Sequence, residues 1–138
     1  MKRSAVIALL LVLALLAPVG GQQVVVGPAQ TPVVSTQAES GHVLKGSAGQ
    51  LYSVYVTATA SGLVMVFNSA TVPADGAVTP IECVPLLTNT NGVGNVSISY
   101  LPGPPAFYSS GISVAYSSGT NCFSKAASAV AFIHGTVQ

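Results

Sequence analysis

Any metal or acid–base chemistry in this chain must be built from few side chains: Cys83, Cys122, His42, His134, Glu39, Asp75 and Glu82. Two thiolates and two imidazoles could make a tetrahedral zinc site. Their spacing contains no C-x-x-C and no H-x-x-x-H pair, so no metal-ligand motif is present. Glycoside hydrolysis needs two carboxyl groups facing one bond, and Asp75 with Glu82 are the candidates. Asp75 lies in "PADG", a turn sequence in which Asp ordinarily bonds its own backbone. Glu82, beside Cys83, reads as a solvated side chain. No G-x-S-x-G elbow marks an activated serine. Serine is too abundant for any Ser–His–Asp set to be informative. No catalytic residue, metal or cofactor is assigned, and the chain reads as a non-enzyme.

The cysteines have another use. An even count in an exported chain permits one bridge, and neither thiol has an evident base or helix N-terminus to activate it. Cys83 begins a strand after "VTPIE", Cys122 follows the turn "SSGTN", and each is followed by an apolar residue, Val84 or Phe123. Two strand ends at one edge can approach to the roughly 5.5–6 Å Cα separation of a disulfide. We expect Cys83–Cys122 to be a structural bridge. Closing a loop of that length stabilises by about 4 kcal/mol in the chain-entropy model. His134, inside the last apolar strand, is expected in the core or at an edge, and His42 is expected to be exposed.

These residues need a scaffold. A chain of 138 residues suits one domain. Only 5% of it is charged while 50% is apolar, so solubility rests on Ser, Thr, Asn, Gln and Gly rather than on ions. Its apolar residues are β-branched and patterned, which argues against disorder despite 14 Gly and 9 Pro. The formal charge of +1 includes Lys2 and Arg3; beyond them Lys45 and Lys125 face Glu39, Asp75 and Glu82. Nucleic-acid binding, which needs a basic stripe, is excluded, as is a polybasic membrane patch.

Lys2 and Arg3, the apolar run 5–17, Pro18 and the small residues Val19, Gly20 and Gly21 read as a signal peptide over residues 1–21, cleaved before Gln22. The run is shorter than the about 20 residues of a membrane span, so no membrane association is expected after cleavage. Residues 22–41 mix Gln, Thr and Pro with valine clusters. Pro28 and Pro32 disfavour a helix or central strand, and the segment reads as an extended arm or linker. It is either a loose terminus or an arm whose Val24, Val25, Val26, Val33 and Val34 pack on a neighbouring subunit.

Residues 42–138 read as strands. "LYSVYVTATASGLVMVFNS" is two β-branched runs joined near Ala60, Ser61 and Gly62, expected as a hairpin, with Tyr52, Val54, Val56 and Ala58 on one face. "NVSISY" and "GISVAY" alternate cleanly. "SAVAFIHGTV" is apolar at both parities, as in a central strand. Turn signals separate the runs: "VPADGAVTP", "NTNGVGN", "LPGPP" and "SSGTN". The expectation is all-β: a single antiparallel β-sandwich or jelly-roll-like domain, preceded by a signal-like helix and the linker. "NVS" at Asn95 fits an N-glycosylation acceptor in a eukaryotic secretory host. "LPGPPAFYSSG" sets Phe107 and Tyr108 beside a proline-stiffened loop. They either form a binding loop or enter the core at a strand start.

From "VLKGSAGQLYSVYVTATASGLVMVFNSATVPADGAVTP" and "CFSKAASAVAFIHGTVQ" the chain resembles small all-β proteins encoded in tailed-phage and prophage genomes. The likeness lies in the G-x-LY-x-V strand, the expected hairpin into MVF, the PADG-x-V-x-P turn, and the GT-x-CF and A-x-A-F-I-x-G ending, and it covers residues 41–138. The resemblance implies a structural or decorating role on a virion and no catalytic residues. A signal-like N-terminus departs from that family, whose members assemble in the cytoplasm. Two readings stay open. One is a β-sandwich that assembles with itself or with other surface or virion proteins. The other is a secreted or cell-surface module that binds a glycan or protein through its loops. A small secreted hydrolase is the weakest reading. The expected location is outside the cell, in the periplasm or at the cell surface, or else in the virion.

Overall fold

The computed structural model describes residues 29–126 and 130–138; the expected signal segment and Val24, Val25 and Val26 of the arm lie outside them. The described chain is all-β. In order its strands are β1 (Thr31–Val34), β2 (Gly41–Lys45), β3 (Gly49–Ala58), β4 (Gly62–Asn68), β5 (Gly76–Ala77), β6 (Glu82–Leu86), β7 (Gly94–Ser99), β8 (Ala106–Tyr108), β9 (Ile112–Ser117), β10 (Ser124–Lys125) and β11 (Ala131–Val137). They form two antiparallel sheets. The first runs β1-β11-β3-β7, with β8 also on β3; the second runs β2-β9-β4-β6; β5 and β10 make a separate two-stranded ribbon.

The sheets bury their facing sides against each other. Val54, Val56, Ile133 and Val137 of the first meet Val64, Val66, Ile112, Val114 and Tyr116 of the second. β7 follows its alternation: Val96 and Ile98 face inward, while Asn95, Ser97 and Ser99 are exposed. β9 and β4 go further and are buried at both parities. The reason is a second, smaller core on the outer face of the second sheet. Met65, Phe67 and Ala115 lie there beneath Leu63, Val72, Val78 and Cys83. Segments 70–81 and 118–126 cover it. Ser113 Oγ donates to the Thr71 carbonyl at 3.0 Å, Val78 N–H to the Phe123 carbonyl at 3.0 Å, and Ala126 N–H to Ser117 Oγ at 3.0 Å.

Three expectations need correction or refinement. β3 and β4 are not a hairpin: they lie in different sheets, and residues 59–61 carry the chain across the sandwich. Both runs are rich enough in apolar residues to sit in the core, and each finds another partner, β11 for β3 and β9 for β4. Gly62 opens β4 at the crossing because a β-carbon there would fall 2.5 Å from the Ser117 carbonyl oxygen. The Tyr116 hydroxyl donates to the Ala60 carbonyl and pins the arch.

The inward face of β3 is also not the one expected. Its register with β11 shifts between Thr136 and Val137, a bulge in the ladder, so Leu51 rather than Tyr52 enters the core together with Val54, Val56 and Ala58. Finally, part of the expected arm is strand. Thr31–Val34 pairs with β11, Val33 packs on the domain's own core, and Pro32 sits in an edge strand, a sheet position that proline tolerates. β11 is central between β1 and β3, but only one of its faces is buried: Ala131, Ile133 and Val137 point in, Phe132 and His134 out.

Candidate functional site

Cys83 and Cys122 form the expected disulfide, with Cα atoms 5.9 Å apart. Cys83 lies in β6 and Cys122 just before β10, so the bridge ties the second sheet to the segment that covers its outer core. Such bonds form and persist in oxidising compartments, outside the cell or in the periplasm.

The carboxylates are dispersed. Glu39 Oε1 lies 2.7 Å from His42 Nδ1, so His42 is half-buried and paired rather than free in solvent. Asp75 Oδ1 is 2.5 Å from Lys125 Nζ, and Lys125, within the cover, is only 5% exposed. The "PADG" aspartate thus holds a buried ammonium. Glu82 is not a solvated glutamate: it is half-buried and accepts a hydrogen bond from the Tyr100 hydroxyl. Among the described residues no three His, Cys, Asp or Glu side chains gather as metal ligands. Phe107 and Tyr108 are adjacent on β8 and point oppositely. Tyr108 enters the core at 2% exposed, and Phe107 stands out at 68%.

Tyr100, Tyr108 and Tyr116 have phenols held above the ordinary value, in each case first by burial; at Tyr100 the hydrogen bond to Glu82 adds to it. A phenol raised in the fold stays protonated after its unfolded counterpart, at about pH 10, has begun to ionise. The stabilisation is complete below that pH and falls as pH rises above it, because the unfolded state releases protons the folded state retains. We expect an alkaline unfolding transition in which the phenolate absorbance of these tyrosines rises in step with loss of the β circular dichroism signal. Ionisation of all the tyrosines near pH 10 with the dichroism unchanged would refute this.

The two sheets differ in how they treat their outer faces. The second is covered by its own chain. The first is open. Pro32 and Val34 of β1, Phe132, His134 and Thr136 of β11, Ser53, Tyr55 and Thr57 of β3, and Asn95, Ser97 and Ser99 of β7 project from it. None of these is Lys, Arg, Asp or Glu. Val34, Tyr55 and Phe132 are 43–49% exposed, and the Tyr55 and His134 rings meet edge to face at 6.1 Å between centroids. Pro32, Val34, Ser53, Tyr55, His134 and Thr136 line a shallow depression of about 210 Å³ on this face.

His134 was expected in the core or at an edge; it is on the open face of a central strand. Phe132 escaped sequence reasoning because β11 read as apolar at both parities, and Tyr55 because it fell outside the set of β3 read as one face. The signal was His134 itself, a polar residue in the parity of Phe132 within an otherwise apolar strand. Comparison with known proteins adds no relative: no family model, no curated protein and no solved structure matches the chain.

Proposed function

We propose that this is a non-enzymatic structural module that works by assembling on an extracellular surface or a virion. The observation that carries this reading is the contrast between the sheets. The chain covers the second sheet with its own loops and a disulfide, yet leaves on the first a face without charge and with Val34, Tyr55 and Phe132 half-exposed. Exposed apolar side chains grouped on one uncharged face are what an interaction site offers. The dispersed carboxylates, each engaged by His42, Lys125 or Tyr100, favour the non-enzymatic reading. Counted along the chain, the principal strands lie first–eighth–third–sixth in one sheet and second–seventh–fourth–fifth in the other. We read this as a jelly roll, an architecture found in viral capsid and lectin domains; as fold-level analogy it supports the class of function and no particular site.

Sedimentation tests the reading. The mass of the wild-type protein is expected to exceed that of a monomer and to rise with concentration, and Phe132→Lys is expected to weaken association by about tenfold or more, since a desolvated lysine would face an apolar partner. A second reading, glycan or protein binding, has Phe107 in its favour, an exposed aromatic ring beside the loop of residues 101–105. A wild-type monomer that binds immobilised glycans, and loses them in Phe107→Ala, would displace the assembly reading.

A further inference from the structure

Each sheet of an open sandwich ends in two edge strands, whose outward N–H and C=O groups can pair with another chain. Here the edges are β1 and β7 in the first sheet, with the three-residue β8 continuing the β7 edge along β3, and β2 and β6 in the second. Three carry a feature that blocks pairing. Ser35 N–H donates to the Ile133 carbonyl at 2.8 Å, and the register places Thr31 and Val33 in the same inward-bonding phase. Pro32 therefore sits in the outward phase of β1 and has no N–H to offer. β6 contains Pro85, and the Val66 carbonyl, which accepts from Ile81 N–H at 2.8 Å, sets the even residues of β4 toward β6, so Pro85 also faces outward. β2 is bulged between Val43 and Lys45 and ends in that lysine, both recognised guards of an edge.

β7 has none of these. Tyr100 N–H donates to the Tyr52 carbonyl at 3.0 Å, in the same register that pairs Ile98 with Val54 and Val96 with Val56. The even residues thus bond inward to β3. Asn95, Ser97 and Ser99 turn their N–H and C=O groups to the open edge, and their side chains are exposed on the uncharged face. The strand has no proline, no charge and no bulge over Gly94–Ser99.

We propose that β7 is the edge through which a second copy of this chain pairs, antiparallel, about a two-fold axis at Ser97. In that register Ser97 meets Ser97 and Asn95 meets Ser99. Every outward N–H finds a carbonyl, Val96 and Ile98 stay on the core side, and no like charges are opposed. A second copy fits because the row Asn95, Ser97, Ser99 is polar and self-complementary. The pairing also joins the two open faces into one continuous sheet. The proposal rests on the reading of the protein as a self-assembling module and names the contact that starts it.

The test is a charge swap at the axis. The chain is exported to the periplasm of a bacterial host, where the disulfide forms and Asn95 is not glycosylated. Ser97→Lys and Ser97→Glu each place like charges opposite one another across the axis, while an exposed side chain leaves the fold intact by circular dichroism. Each variant alone is expected to dimerise about tenfold or more weakly than wild type, and an equimolar mixture is expected to recover the dimer as a heterodimer at low salt. If both variants dimerise like wild type, β7 is not the edge used, and a loss confined to Phe132→Lys would then leave the open-face reading standing without it. If both are monomeric and the mixture does not recover, the two-fold at Ser97 is wrong. A wild type that stays monomeric up to about 100 µM overturns the edge and the assembly reading together.

Discussion

Replacing Cys83 and Cys122 together by alanine is expected to cost the fold about 4 kcal/mol and to lower its melting temperature by roughly 15–25 °C. The bridge spans a sequence separation of 39, so in the unfolded chain it removes the freedom of a long loop rich in Gly and Pro. In the folded chain it has a local task. Cys83 packs beside Met65 and Phe67 in the smaller core, and Cys122 anchors the segment that covers them. Without the bridge the cover is held by the short β5–β10 ribbon, a few backbone hydrogen bonds and the Asp75–Lys125 pair. The loss should therefore begin there. Thermal melts of the double variant and of the reduced wild type give the global figure, and peroxide oxidation of Met65, fully buried in the intact fold, reports the opening of the cover. A double variant that melts within a few degrees of wild type, with Met65 still protected, would show that the bridge is incidental to the fold.

Leu51→Ala is expected to cost about 2–5 kcal/mol, the range for emptying a fully buried leucine site, and Tyr52→Ala distinctly less. Leu51 has 0% exposure in the main core, whereas the half-buried Tyr52 lies at the sheet end with its hydroxyl donating to the Gln50 and Gln138 side chains. Strict alternation along β3 orders the two the other way. The pair of variants, compared by denaturant melts, thus tests the bulge directly. Tyr52→Ala costing as much as Leu51→Ala would restore the regular strand.

That reversal shows which features the sequence made legible. Period-two patterning located β7 and β9 and the inward Val96, Ile98, Ile112, Val114 and Tyr116, because those strands alternate without interruption. The disulfide was legible from compartment and turn chemistry, since only two cysteines had to find each other. Which strand pairs with which was not, since it is set by contacts distant in the chain. β3 and β4 look like a hairpin locally and are parted by the stronger claims of β11 and β9. A bulge leaves no mark in the composition, so the phase of β3 slipped at Tyr52. The open face was hidden for a related reason. Phe132 lies in a strand that reads apolar at both parities, Tyr55 falls outside the set of β3 read as one face, and only the covering of the other sheet reveals that this one is left bare among the described residues.

Oxidative footprinting across a concentration series tests the central claim most directly. If the uncharged face of the first sheet is the working surface, Tyr55, Phe132 and His134 should lose reactivity as the protein is concentrated. Ile81 and Phe123, more exposed at 61% and 66% but on the covering segments of the second sheet, should not change. Reactivity that is independent of concentration at Tyr55 and Phe132, or protection that appears at Ile81 and Phe123 instead, would contradict it.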